Sequence, residues 1–158
     1  MSGVPGDIEI MQPAEVAALV KDDSAVRYVD VRTVGEFAQG RPLLPAVNIP
    51  FVFHHPLTTD PIPNGAFADL VSHLFTPVTR LVLGAAGDGA ADPRAEAAAA
   101  ALAACGFERL AVMPAGFSGW RAALLPTTRD NRDGVSYVSL LTRYRRKDKR
   151  AGKGGGGH

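Results

Sequence analysis

"RLVLGAAGDGAADPRAEAAAA", residues 80–100, decides how the chain is read. Leu81, Val82 and Leu83 are consecutive apolar residues, which predicts a central strand covered on both faces. A loop of small residues follows, then an alanine-rich helix over 94–104 with the stop "CGF" behind it. In an α/β protein, the junction of such a strand with its helix is where a nucleophile or a phosphate cradle sits. Residues 84–93 contain no Cys, Ser, Thr, His or Lys. "GAAGDG" also lacks the Lys-Ser/Thr pair of a P-loop and the complete Gly-x-Gly-x-x-Gly fingerprint, so it is a weak signal for a nucleotide.

On either side, strands alternate with helices. "IEIMQPAEVAALV" reads as a short strand or extended arm and then a helix begun at Pro13. "VRYVDVR" (26–32) is β-branched and strand-like, and "TVGEFAQG" (33–40) is a short helix ended by Gly40. "AVNIPF" (46–51) is a short strand, and 52–65 a loop rich in Pro, His and Thr. Phe67, Leu70, Val71 and Leu74 recur at helical spacing. "RLAVMP" (109–114) is another strand, and "AGFSGWRAALLP" (115–126) a turn into a short helix. The pattern predicts an α/β fold, with about five mainly parallel strands and helices on both faces. The domain is expected over 8–126. Residues 127–158 are expected to be a polar linker, "TTRDNRDG", an apolar segment, "VSYVSLLTRY", and a glycine-rich basic end that is disordered when free.

The 158 residues suit one domain, and 46% hydrophobic with 21% charged residues is the balance of a soluble globular chain. No apolar run is long enough to span a bilayer, and the first twenty residues lack a signal-peptide pattern, so a cytoplasmic location is expected. Cys105 is the single cysteine, which excludes an internal disulfide framework and a Cys-rich zinc site. The net charge of +1 hides an asymmetry. Residues 1–142 carry ten Lys/Arg against fifteen Asp/Glu, a balance of −5, and residues 143–158 carry seven against one, a balance of +6. Such a basic end either keeps the chain soluble or docks on an acidic surface.

Four separated pieces resemble rhodanese-like domains. "RYVDVRTVGEFAQGR" is similar to that family's Asp-x-Arg…Glu-Phe signature and "AVNIPF" to its Ala-x-Asn-x-Pro strand. "LAACGFERLAVM" is similar to its Gly-Phe helix end and following strand, and "AGFSGWRAALLP" to its closing Trp segment. The spacing resembles the single-domain plant-type thiosulfate sulfurtransferases, over about residues 8–126. The resemblance implies a Cys after the central strand that accepts a sulfane sulfur as a persulfide. Inward N–H groups of the loop, a loop Arg and the next helix would hold an anion and lower the thiol pKa. Matched to Val-Gly-Cys-x-x-Gly-x-Arg-Ser, Gly84 takes the family Gly and Ala85 the Cys position. A shift of one puts Gly84 there instead. The vestigial loop is then Gly84, Ala85, Ala86 and Gly87 with Arg94 as the family Arg, and the loop is longer and carries Asp88 and Asp92. Those carboxylates are expected to oppose a bound anion. Arg41 stands for the usual His and Pro45 for a Gly.

The other candidates read as structural. Cys105 is expected to be a small buried apolar residue at a helix end. His54 and His55 with Asp60 make a poor metal set, because neighbours on an extended chain point apart. Asp30 and Arg32 are expected to fix a strand end, and Phe117 and Trp120 to pack in the core. No metal and no cofactor is expected. The leading functional expectation is a catalytically inactive rhodanese-like module, a structural or adaptor subunit of a larger protein assembly. Its partner would be contacted through 135–150, with Arg143, Arg145, Arg146, Lys147, Lys149 and Arg150 as the basic contacts. A cytoskeletal or ciliary assembly with acidic surfaces suits that pattern. One alternative is an enzyme of altered chemistry, a sulfurtransferase through Cys105 or a phosphatase-like activity. The other is a nucleic-acid or anionic-surface binder led by the tail, for which Tyr137 and Tyr144 are a thin stacking platform.

Overall fold

A computed structural model describes residues 8–87 and 92–155, with side chains as far as Lys147. In chain order the elements are β1 (Glu9–Ile10), α1 (Pro13–Asp22), β2 (Arg27–Asp30), α2 (Val34–Ala38), β3 (Arg41–Pro42), β4 (Ala46–Asn48), β5 (Val52–His54) and β6 (Pro61–Pro63). Then follow α3 (Phe67–Leu74), β7 (Leu81–Gly84), α4 (Arg94–Ala104), β8 (Leu110–Met113), α5 (Gly116–Ala122), β9 (Thr127–Thr128) and α6 (Tyr137–Gly155).

β7 lies at the centre of a five-stranded sheet of order β1-β8-β7-β2-β4, and all four pairings are parallel. Its apolar triplet is buried, as a strand sandwiched between helical layers must be. The period of two divides the sheet cleanly. Tyr28, Val82, Ala111 and Met113 face Val16 of α1 and Trp120 of α5. Val29, Leu81, Leu83 and Val112 face α3, α4 and α6. In α4 the stripe Ala95, Ala98, Ala99 and Leu102 is buried against the sheet, which explains the alanine-rich sequence.

Two positions fix the ends of these layers. A Cβ on Gly84 would lie 1.8 Å from the Tyr28 hydroxyl oxygen, so only glycine lets β7 end beside that ring. The Tyr28 hydroxyl is itself buried without a hydrogen-bond partner among the described residues. At the end of α4, Gly106 has a φ of +98°. Its N–H donates to Ala103 O at 3.0 Å and the Phe107 N–H to Leu102 O at 3.1 Å, a closing turn that drops Phe107 into the core.

The chain beyond Pro126 packs on the domain. β9 pairs antiparallel with β3, and Arg41 Nε donates to Asp130 O at 2.9 Å. The Val135 carbonyl accepts the Asn48 N–H at 2.9 Å, at the sheet edge. In α6, Tyr137 and Leu140 are buried in the core shared with α3 and α4, and Tyr144 packs beside His73 with ring centroids 5.2 Å apart. The apolar segment over 135–144 therefore covers the domain's own face, and its helix runs to Gly155. Residues 156–158 lie outside the described residues. The expected loop over 52–65 contains the β5–β6 ribbon.

Gly84→Ala is expected to cost about 1–3 kcal/mol through the clash with Tyr28, and Leu140→Ala about 2–5 kcal/mol through a cavity under α6. Tyr28→Phe removes an unpaired buried hydroxyl and should leave stability unchanged or raise it. Urea unfolding of the three variants checks all of this, and a strongly destabilised Tyr28→Phe would contradict the packing at Gly84.

Candidate functional site

The site lies at the carboxyl ends of β2 and β7, where the chain turns from each strand into a helix. Asp30 and Gly84 are register partners there. Arg32 folds back on Asp30, donating from Nε to Oδ1 at 2.9 Å and from Nη2 to Oδ2 at 2.8 Å, and Nη2 also reaches Gly40 O at 2.8 Å. Both residues are buried. Burial pushes the Asp30 carboxyl up, and the hydrogen bonds from Arg32 oppose that rise. Asn48 Nδ2 donates to the carbonyls of Asp30 and Arg32 at 3.0 and 2.9 Å. The pair thus braces the strand end against the end of α2.

Thr33 caps α2, and its partner in the cap is Glu36. The Glu36 N–H donates to Thr33 Oγ1 at 3.3 Å, and Glu36 Oε1 accepts the Thr33 N–H at 3.0 Å. The same carboxylate reaches across to Arg94, with 2.7 Å from Nη1 to Oε1 and 3.1 Å from Nη2 to Oε2. Arg94 is held from its other side by Asp92, with Nε 2.9 Å from Oδ1 and Nη2 2.8 Å from Oδ2. Asp92 Oδ2 also accepts the backbone N–H of Ala86 at 2.9 Å. A loop amide and a loop arginine, the donors that would converge on an anion, therefore converge on a carboxylate of the chain itself.

Burial alone would raise both acids. Hydrogen bonds from Arg94 and from backbone N–H groups overcome it, and Glu36 and Asp92 are each held at about 2. Asp92 hydrogen bonds in turn raise the Arg94 guanidinium further above its ordinary range, against its own burial.

Ala86 forms part of the floor of a cavity of about 250 Å³, whose walls include Arg32, Glu36, Phe117 and Ser118. The N–H groups of Phe117 and Ser118 donate to the carbonyls of Ala85 and Ala86, both at 2.9 Å, which ties α5 to the loop. Ala85 itself is 3% exposed and packs in the core.

A family model for the rhodanese-like domain matches residues 12–123. The chain belongs to the rhodanese-like domain family. The fold recurs in solved structures of low sequence identity. The Alr3790 protein from Anabaena sp. is 15% identical, with 87% of this chain and 90% of that chain covered and a TM-score of 0.60. A thiosulfate sulfurtransferase from Pseudomonas aeruginosa is 21% identical, with 77% of this chain and 20% of that chain covered and a TM-score of 0.58. A polysulfide-sulfur transferase homodimer from Wolinella succinogenes is 19% identical, with 77% and 79% covered and a TM-score of 0.58. No curated protein matches this sequence.

Within this rhodanese-like domain, Gly84 lies under Tyr28, Ala85 follows it into the core, Ala86 borders the cavity, and Gly87 turns with a φ of +66°. Asp88 lies outside the described residues. Asp92 bonds to the Ala86 N–H and to Arg94, so it opposes an anion there by holding those donors as well as by its charge. Cys105 is exposed, not buried. It caps the C-terminus of α4, and the closing turn sends Phe107 into the core in its place. Phe117 is half-buried and lines the cavity, with Arg32 4.7 Å and Arg121 5.6 Å from its ring centroid, whereas Trp120 is fully buried with Nε1 2.6 Å from Pro126 O. His55 Nδ1 accepts the N–H groups of Leu57 and Thr58 at 3.1 and 3.2 Å, so it holds a turn. No group of three or more metal-ligating side chains occurs among the described residues. Arg143 pairs with Asp133, and Arg145, Arg146 and Lys147 are exposed on α6. The side chains of Lys149 and Arg150 lie outside the described residues. No described helix is long and apolar enough to cross a membrane. Glu36 carried two sequence signals, its place in the Glu-Phe signature and the Thr-x-x-Glu spacing of a cap. Its bond to Arg94, 58 residues away, carried none.

The two acids bind more protons in the unfolded chain than in the folded one between their ordinary values, 4.5 and 3.8, and about 2. Their contribution to stability is therefore complete above that range and is lost as pH falls through it. Urea unfolding between about pH 6 and about pH 2 should show stability dropping on acidification, with a shallower drop in Glu36→Gln and in Asp92→Asn. Unchanged slopes in both variants would refute the coupling.

Proposed function

We propose that this rhodanese-like chain works by binding, as an adaptor or structural subunit, and does not transfer sulfur. The observation that carries the reading is Asp92 bonded at once to the Ala86 N–H and to Arg94. A sulfane donor such as thiosulfate would need those donors, and it would also need a thiolate beside them. Residues 84–87 are Gly-Ala-Ala-Gly, with no nucleophilic side chain. The exposed Cys105 does not replace it. It lies at the far end of α4 from the loop, an eleven-residue helix that spans about 16 Å.

The partner surface follows from what α6 leaves uncovered. Tyr137 and Leu140 are occupied by the core, so Arg145, Arg146 and Lys147 remain as the basic contacts toward an acidic protein surface. The same burial makes deletion of the whole C-terminal extension a poor test, because it would uncover the core. Charge reversal at those three residues leaves the domain intact.

Purified protein is expected to transfer no sulfur from thiosulfate or mercaptopyruvate to an acceptor thiol. Ala85→Cys should remain inactive, because the restored thiol is buried and Asp92 still fills the cradle. A persulfide on Cys105 with turnover, or high activity in Ala85→Cys, would overturn the reading.

A further inference from the structure

The cavity over Ala86 does not end at Phe117. A second cavity of about 620 Å³ shares Gln39, Phe117 and Arg121 with it and runs on to Thr127 and Arg129. Together they form one open groove between α2, α5 and β9. Two exposed cations line it, Arg121 and Arg129, and neither has an ion-pair partner among the described residues. Glu36 is the only acid lining it among those residues, and both its oxygens are already bonded, to Thr33 and Arg94. The groove therefore presents unneutralised positive charge on a domain whose first 142 residues carry a balance of −5.

The arrangement differs from a cradle for a small anion. At its inner end, among the described residues, Asp92 takes the Ala86 N–H and Arg32 is spent on Asp30 and Gly40. What remains is a row: the Phe117 ring, with Arg121 over it, and Arg129 further along. Carboxylates spaced along a chain can meet such a row one by one, and the ring supplies a flat apolar contact between them. A long polyphosphate would carry much more charge over the acidic remainder of the domain and be repelled there.

We propose that this groove binds an acidic, extended peptide segment of a partner protein. The proposal rests on the reading of the chain as a binding module, and it makes the vacated active-site face, rather than α6 alone, a point of contact.

The test uses the full chain and a fluorescein-labelled peptide of alternating Asp and Glu, read by anisotropy. Arg121→Glu with Arg129→Glu should weaken binding about tenfold or more, and salt should weaken the parent's binding as exposed charges are screened. Both residues are exposed, so circular dichroism should show an unchanged fold. Lys21→Glu with Arg109→Glu, at exposed cations that do not line the groove, should stay within about twofold of the parent. The proposal is overturned if the parent does not bind the peptide, if the groove variant binds equally well, or if only the Lys21→Glu, Arg109→Glu variant loses affinity. It is also overturned if inorganic phosphate or a single-stranded oligonucleotide of equal charge competes better than unlabelled peptide. Sulfur transfer by the parent would defeat the non-catalytic reading separately, because the anisotropy arms are scored whether or not turnover occurs.

Discussion

Arg94 stands between two carboxylates that come from opposite directions, Glu36 from the cap of α2 and Asp92 from the loop after β7. Because Glu36 also completes that cap, one guanidinium joins the start of α2, the loop and the start of α4. Asp92 reaches both Arg94 and the Ala86 N–H. α5 then closes over the loop through the carbonyls of Ala85 and Ala86. The shape of the face, including the groove toward Arg129, depends on this junction.

The frame of the protein was largely legible because it is written in local patterns. Leu81 to Leu83 name a strand buried on both sides, Gly106-Phe107 a helix end, and Trp120 a closing contact. Each depends on neighbours within a few residues. The site was less legible because its decisive contacts join distant segments or invert a sign. Glu36 and Arg94 are 58 residues apart. Asp92 in a sequence is a negative charge in an anion loop, and only the geometry makes it the anion. Cys105 failed for a related reason, and Phe117, which packs against the core, also borders the cavity: a helix pattern says which residues share a face, but not where the helix stops or what opens beside it.

The C-terminal extension makes the same point for packing. Tyr137, Leu140 and Tyr144 mark one face of a helix, and a partner protein or the domain itself can cover such a face. The sheet edge decides it here. Val135 hydrogen-bonds to Asn48, and Arg41 reaches Asp130. These bonds hand the chain to α6 close to α3, where the apolar face is covered. The outer face keeps its charges, so the helix is both a wall of the core and a basic surface.

The bond from Ala86 to Asp92 has a consequence for any dissolved anion. The competitor is six residues away along the same chain, so it cannot diffuse off. A short tether of this kind corresponds to a local concentration on the order of millimolar or above, before the second hold by Arg94 is counted. A free anion at lower concentration loses that competition without any blocking group having to move. The loop thus carries its own occupant, and an incoming anion has to displace a tethered carboxylate before it meets the Ala86 N–H.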